Sequence, residues 1–448
     1  MPASVDATPP LPGLSPVADK ALIARFDGGQ LSSDAGVLTL REVERRLGVA
    51  ERLAGCIPDP REPERVQHPL ADIVRFRMLM IAAGYEDGND ANALRADPVF
   101  KMALERTPDA AALCSQATIS RLENLPDRRA LVRMGQALVD LYCASCRKVP
   151  GRIVLDIDDT FDAAHGEQQL RLFNAYYDDY GFQPIVVFDG DGRFVTALLR
   201  PARRPSGREI RALLRRVVRR LRANWPRTDI LVRGDSHYCC PEVLDWCRAH
   251  GIGYVFGVAA TAPLRRHVDS LAHSTAARFA AGTGAKVRRF KEFYDGAESW
   301  TRVERIVARV EAGPQGTDSR FVVTSMEDRP GRWVYETLYC RRGRAENAIK
   351  AWKTHLAADR TSCSSATANQ MRLFLHAGAY WLLWSLRSLM PKRSTWRVAQ
   401  FDTLRLRLIK LAARVIERKT RILVHLPGAC PDQAILRLVL GRIPRLVT

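Results

Sequence analysis

Apolar positions change their period along this chain near residue 150. Before it, from about residue 35 to 148, the spacing is helical. In HPLADIVRFRMLMIAAGYEDG, Leu70, Ile73, Val74, Met78 and Ile81 fall on one helical face. SQATISRLENL follows, with Ser115 or Thr118 able to cap a helix start. Ile119 and Leu122, with Arg121 between them, suit either the second helix of a helix-turn-helix or a plain capped helix in a bundle. The expectation is a mainly helical, DNA-binding domain over 21–148, after a Pro-rich mobile leader over 1–20.

After residue 150 the alternation is that of strands. RIVLDID alternates apolar and polar residues, and FQPIVVFDGDGRFVTALLR reads as two strands joined by a tight hairpin at Asp189 to Gly192. A helix follows, opened by a capping box at Ser206 and Glu209. One of its faces is Ile210, Leu213, Leu214, Val217, Val218 and Leu221; the other is Arg208, Arg211, Arg215, Arg219 and Arg222. Then come the strand DILVRGD, the helix PEVLDWCRAH and the strand GIGYVFGV. This order predicts an α/β fold, a mixed sheet with flanking helices in the order of a ribonuclease H-like core. Its first part spans 149–257. TRVERIVARVEA and SRFVVTSM, separated by the turn GPQGTD, predict a β-rich insertion over 258–337. Helix resumes over 338–392 to complete the core, and 393–448 form a basic C-terminal region. No internal repeat is visible.

Charge sharpens the picture. Lys and Arg number 69 against 49 Asp and Glu, a formal charge of +20 on 448 residues. An excess of this size attracts a polyanion, most commonly nucleic acid. A membrane partner is not expected: the longest apolar run, LFLHAGAYWLLWSL, is short for roughly 30 Å of hydrocarbon and contains His376. Ten scattered cysteines without a signal peptide suggest reduced thiols in the cytoplasm. Cys143 and Cys146 form a CxxC, but no second pair stands at zinc-ribbon spacing.

Three acids stand out by position. Asp158 ends the first strand, Asp235 ends ILVRGD, and Glu346 sits on the helix after the insertion. Strand ends in an open sheet gather side chains into one crevice, and a docked helix can add a third carboxylate. Clustered carboxylates repel one another unless cations neutralise them. Two Mg²⁺ ions, which take oxygen ligands, would do so and could drive phosphodiester chemistry. An Asp at a strand end is also a common turn or cap residue. Asp156 shares the face of Asp158 and is the runner-up ligand, whereas Asp159 points away.

On the last helix, Tyr339, Arg342, Glu346 and Lys353 fall within an arc of roughly 60° at about 100° per residue. That face suits metal and phosphate, or alternatively a solvated surface laced with ion pairs. The order Tyr, Arg, Glu, Lys at steps of three, four and seven resembles the signature of one branch of bacterial insertion-sequence transposases. These are DDE enzymes with a ribonuclease H-like core and a β-rich insertion before the Glu. LDIDDT, HGEQ at 165–168, RGDSHY at 233–238 and SQATISRLEN at 115–124 extend the resemblance over nearly the whole chain after residue 20. Two departures are Asp159, where a small residue is usual, and LRPARRPSG in place of LRPGN.

The resemblance implies Asp158, Asp235 and Glu346 as catalytic metal ligands for two Mg²⁺ ions, with Mn²⁺ able to substitute. It implies Tyr339, Arg342 and Lys353 as contacts to the transposon-end phosphates. Arg121, Arg200, Arg203, Arg204 and Arg233 are expected on DNA as well, and Trp300 is a candidate for stacking on a flipped base. The implied reaction is cut-and-paste: hydrolysis at the inverted-repeat ends, then attack of the 3′-hydroxyls on target DNA. A homodimer on DNA and a bacterial, nucleoid-associated protein go with it. The competing readings are a stand-alone ribonuclease H-like nuclease and a DNA-binding regulator derived from an inactive transposase.

Overall fold

The computed structural model describes residues 9–282 and 284–446. Of the expected mobile leader over 1–20, residues 1–8 lie outside the described residues; within 9–30, Val17 and Lys20 form a bridge and the Leu11 amide donates to the Ala24 carbonyl. The main sheet has eight strands: β1 (Arg152–Asp159), β2 (Ile185–Asp189), β3 (Phe194–Leu198), β4 (Asp229–Gly234), β5 (Gly253–Val258), β6 (Val287–Asp295), β7 (Glu304–Gly313) and β8 (Gly316–Thr324). Their order is β6-β7-β8-β5-β4-β1-β2-β3. β1 runs parallel to β4 and β4 to β5, while β1, β2 and β3 are antiparallel neighbours. The arrangement β3-β2-β1-β4-β5 is the ribonuclease H-like core that the element order predicts.

Local sequence explains the pieces. Ser206 accepts the amide of Glu209 while the Glu209 carboxylate accepts the amide of Ser206, closing the capping box of the Gly207–Asn224 helix. The six apolar positions of that helix are all buried. β1 alternates faces: Leu155 and Ile157 join the core formed with the Gly207–Asn224 and Pro241–Ala249 helices, and Asp156 and Asp158 face the other way.

The insertion differs from its expectation in two respects. It opens with a helix, Ala262–Ala280, before any strand. Leu264, Val268 and Thr275 are its buried positions, so a helical period was present beneath the strand-like neighbours. Its three strands also continue the main sheet, because β8 pairs with the edge of β5 from Phe321↔Val258 to Thr324↔Val255. Covering that edge satisfies backbone groups that an open strand would expose.

The N-terminal helices share the hydrophobic core with the rest of the chain. The Leu70–Ala83 helix buries all five positions expected of it, and it packs against the Ala366–Ser388 helix. Gly378 permits that approach, since a Cβ there would overlap the Met78 sulfur. The Gln116–Asn124 helix follows Ser115, buries Ile119 and Leu122 on this same core and leaves Arg121 exposed. No helix among the described residues is long and apolar enough to cross a membrane.

Glu44 supplies a test of this region. It is 1% exposed and accepts the amides of Val49 and Ala50 at 3.2 and 2.8 Å, capping the next helix. Burial pushes its carboxyl up to about 7, opposed by the Ala50 amide and Arg75. The folded chain therefore holds this proton more tightly than the unfolded chain. The stabilisation is complete below the unfolded value of 4.5 and is lost as pH rises through about 7. Glu44→Gln keeps an acceptor and removes the titration. At about pH 8 it is expected to be more stable than wild type by on the order of 3 kcal/mol, an advantage that shrinks to about 1 kcal/mol near pH 5 and vanishes below about pH 4. Denaturant unfolding at several pH values measures this, and parallel pH profiles for the two proteins would contradict it.

Candidate active site

Three segments meet at the C-terminal ends of β1 and β4. Asp158 stands near the end of β1, opposite Val186 of β2. Asp235 follows β4, and its Oδ1 accepts the amide of His237 at 2.8 Å, which holds the turn. The third segment is a composite helix. It runs through a π segment Val334–Leu338, a 3₁₀ turn Tyr339–Arg342, an α segment Gly343–Lys350 and a π segment Ala351–His355. Its side chains therefore do not follow the uniform 100° step on which a single four-residue face depends.

The Arg342 guanidinium joins two of the acids. It donates to Asp158 Oδ2 at 2.7 Å and to Glu346 Oε1 at 2.6 Å. Burial pushes the Asp158 carboxyl up to about 7; Arg342 opposes the rise, and the negative charges of Asp235 and Asp159 add to it. Asp158, Asp235, Glu346 and Arg342 thus form one electrostatic unit that calls for positive charge. Tyr339 belongs to it too: burial raises its phenol, Arg342 lowers it and Asp235 raises it. Its hydroxyl lies over Gly257 of β5, where a Cβ would stand 2.6 Å away. Glycine there leaves room for the phenol beside the Asp235–Ser236 turn.

Hard oxygen donors of this kind fit a divalent cation. The guanidinium set between Asp158 and Glu346 shows that both carboxylates already point at a shared positive group. Among the described residues, no group of three or more His, Cys, Asp or Glu side chains is arranged to hold a metal ion.

Other expected site residues lie elsewhere. Asp156, the runner-up ligand, is 1% exposed and forms a bidentate pair with Arg233 at 2.5 and 2.7 Å. The two are register partners across β1 and β4. Arg233 also donates to the Leu338 carbonyl, immediately before Tyr339. Its expected place on DNA is therefore corrected: it is a buried strut between sheet and helix. Arg200 is corrected likewise. It is buried and donates to Glu209 Oε2 at 3.0 Å and to the Gln183 and Arg203 carbonyls. Arg203 and Arg204 are exposed, and Arg204 donates to the Ser236 carbonyl at 3.3 Å, next to Asp235. Lys353 donates to the Phe161 carbonyl and stands 3.6 Å from the buried Asp162. Trp300 is half-buried against the core. Asp159 points off the catalytic face, as strand alternation requires, and accepts from Gln183 at 2.7 Å and Tyr238 at 3.1 Å.

Asp162 is a member of this neighbourhood that the spacing of motifs did not single out. It is fully buried, burial raises its carboxyl well above the usual range, and Lys353 opposes the rise. The signal for it is faint: one more acid in an Asp-rich run, four residues after Asp158. The cysteines are unbonded thiols, Cys143 and Cys146 included.

The core topology, with antiparallel β1, β2 and β3 beside parallel β4 and β5, defines a ribonuclease H-like fold. The family described as Transposase DDE domain group 1 matches residues 14–448. The chain belongs to that family and is a DNA transposase. No curated protein sequence matches it. Among solved structures, the piggyBac transposase synaptic complex with hairpin DNA is similar at 11% identity and a TM-score of 0.34, over 90% of this chain and 89% of that one.

Proposed function

We propose that this transposase binds the ends of its element, hydrolyses a phosphodiester at each and joins the freed 3′-hydroxyls to target DNA. Asp158, Asp235 and Glu346 are its catalytic carboxylates in this reading. The observation that carries it is the Arg342 guanidinium set between Asp158 and Glu346, with the charge of Asp235 acting on the same Asp158. Asp158, Asp235 and Glu346 would hold two Mg²⁺ ions, or Mn²⁺ in their place. Such ions, when bound, activate a water or hydroxyl and stabilise the leaving oxygen.

The chain's own groups do the rest. Arg342 turns its fork from the carboxylates to a phosphate of the transposon end. Tyr339 donates its hydroxyl to a phosphate or sugar. Exposed Arg121, Arg203 and Arg204 contact the DNA backbone. Lys353 anchors the helix to the Phe161–Asp162 segment and so positions Glu346. Trp300 would have to leave its packing to stack on a base, so we assign it to the core. A homodimer pairs the two ends, on nucleoid DNA of a bacterial cytoplasm.

The test combines the protein with paired inverted-repeat ends, a target plasmid and Mg²⁺. Joined products are expected. Cleavage without joining would make it a nuclease, and binding without cleavage a regulator; either result overturns the proposal.

A further inference from the structure

The arginine face of the Gly207–Asn224 helix takes no part in the chemistry above. Arg208, Arg211, Arg215, Arg219 and Arg222 lie within an arc of roughly 80° at about 100° per residue. All five are exposed. Arg208, Arg211, Arg215 and Arg219 have no ion-pair partner among the described residues, and Arg222 donates only to the His250 carbonyl. The neighbouring acids are engaged elsewhere or confined to the helix start. Asp140 pairs with Arg220, Glu209 closes the capping box, and Glu242 lies beside Gly207.

Such a face is costly to the isolated chain. Arg211, Arg215 and Arg219 follow at i,i+4, and like charges at that spacing destabilise a helix. Arg208 lies in the first turn, where the helix dipole disfavours a cation. A merely solvated face would relieve this with interspersed acids, and after Glu209 this helix has none.

We propose that this stripe is a second DNA-binding surface, which grips the backbone of a duplex segment outside the catalytic crevice. It rests on the reading of the protein as one that acts on DNA. The stripe lies on the side of the sheet built on Leu155, Ile157 and Val232, opposite the Asp158 face. From Arg208 to Arg219 it runs about 16 Å at 1.5 Å per residue, the length of roughly five base pairs at 3.4 Å each. Its head adjoins Arg203 and Arg204, and Arg204 is bonded to Ser236 at the rim of the site. A duplex leaving the crevice past that rim meets the arginines in turn. Phosphate contacts of this kind position a duplex without reading its sequence.

The test is the salt dependence of binding to a random-sequence linear duplex, followed by fluorescence anisotropy. The variant is Arg208→Gln, Arg211→Gln, Arg215→Gln and Arg219→Gln combined. Losing about four phosphate contacts should flatten the slope of log K against log salt by about 3–4. Between about 50 and 200 mM salt, wild type should then lose roughly 100-fold more affinity than the variant. Circular dichroism should show an intact helix with an equal or higher melting midpoint, since self-repulsion is gone. An unchanged slope with the fold intact overturns the proposal, as does a loss of binding seen on anionic phosphatidylserine vesicles and not on duplex. The readout is binding alone and needs no cleavage, which separates this from the catalytic reading: a wild type that cuts no end but differs from the variant by the expected slope leaves the stripe standing while the catalytic reading falls.

Discussion

Glu346→Gln is expected to lower end cleavage by on the order of 10³-fold or more while the protein stays folded and binds DNA. A loss of that size corresponds to about 4 kcal/mol of transition-state stabilisation. The reason is local. Glu346 is exposed, and its bond from Arg342 at 2.6 Å spans one helical turn. A neutral amide of the same shape still accepts that bond, and Arg342 keeps its bond to Asp158. What is lost is the negative charge that a divalent cation needs. Asp158→Asn should abolish cleavage similarly, but it should also stabilise the fold, because it removes a buried charge opposed mainly by Arg342. Single-turnover cleavage of a labelled end, beside thermal melts, measures both. Cleavage by Glu346→Gln within tenfold of wild type would remove this residue from the mechanism.

Arg233→Met should destabilise the fold by about 3–5 kcal/mol, the usual consequence of leaving one member of a buried pair alone. Asp156 would remain buried between β1 and β4 with neither water nor cation. The Leu338 carbonyl would lose its donor, freeing the turn that carries Tyr339 and Arg342. Replacing both partners, as Asp156→Leu with Arg233→Met, should recover much of the loss, since apolar side chains of similar volume avoid desolvation. Chemical denaturation of the three variants measures this. Were Arg233 a phosphate contact, the single variant would keep its stability and flatten the salt dependence of DNA binding instead.

The two arginine groups show how far each kind of reading reaches. Arg208 to Arg222 share a helix face because of local spacing, and the face is exposed because the opposite stripe is apolar and buried. Arg200 and Arg233 look equally available on paper. Both are withdrawn from solvent by partners in other segments, Glu209 for one and Asp156 for the other. The Ala262–Ala280 helix is hard to read from the sequence for a different reason. Its buried positions are few, and the alternating strands after it dominate the segment.

By itself the sequence determined the succession of strands and helices in the core, the capping box and the positions of three candidate acids. Alternation, helical period and capping are properties of near neighbours and survive without the rest of the chain. The tertiary structure alone decided that Arg342 bridges Asp158 and Glu346, that Asp156 is a strut, and that the insertion extends the main sheet. Those outcomes depend on residues as far apart as the 184 positions between Asp158 and Arg342. Only the folded chain brings residues so distant in sequence together, and the succession of π, 3₁₀ and α turns sets which side chains arrive side by side.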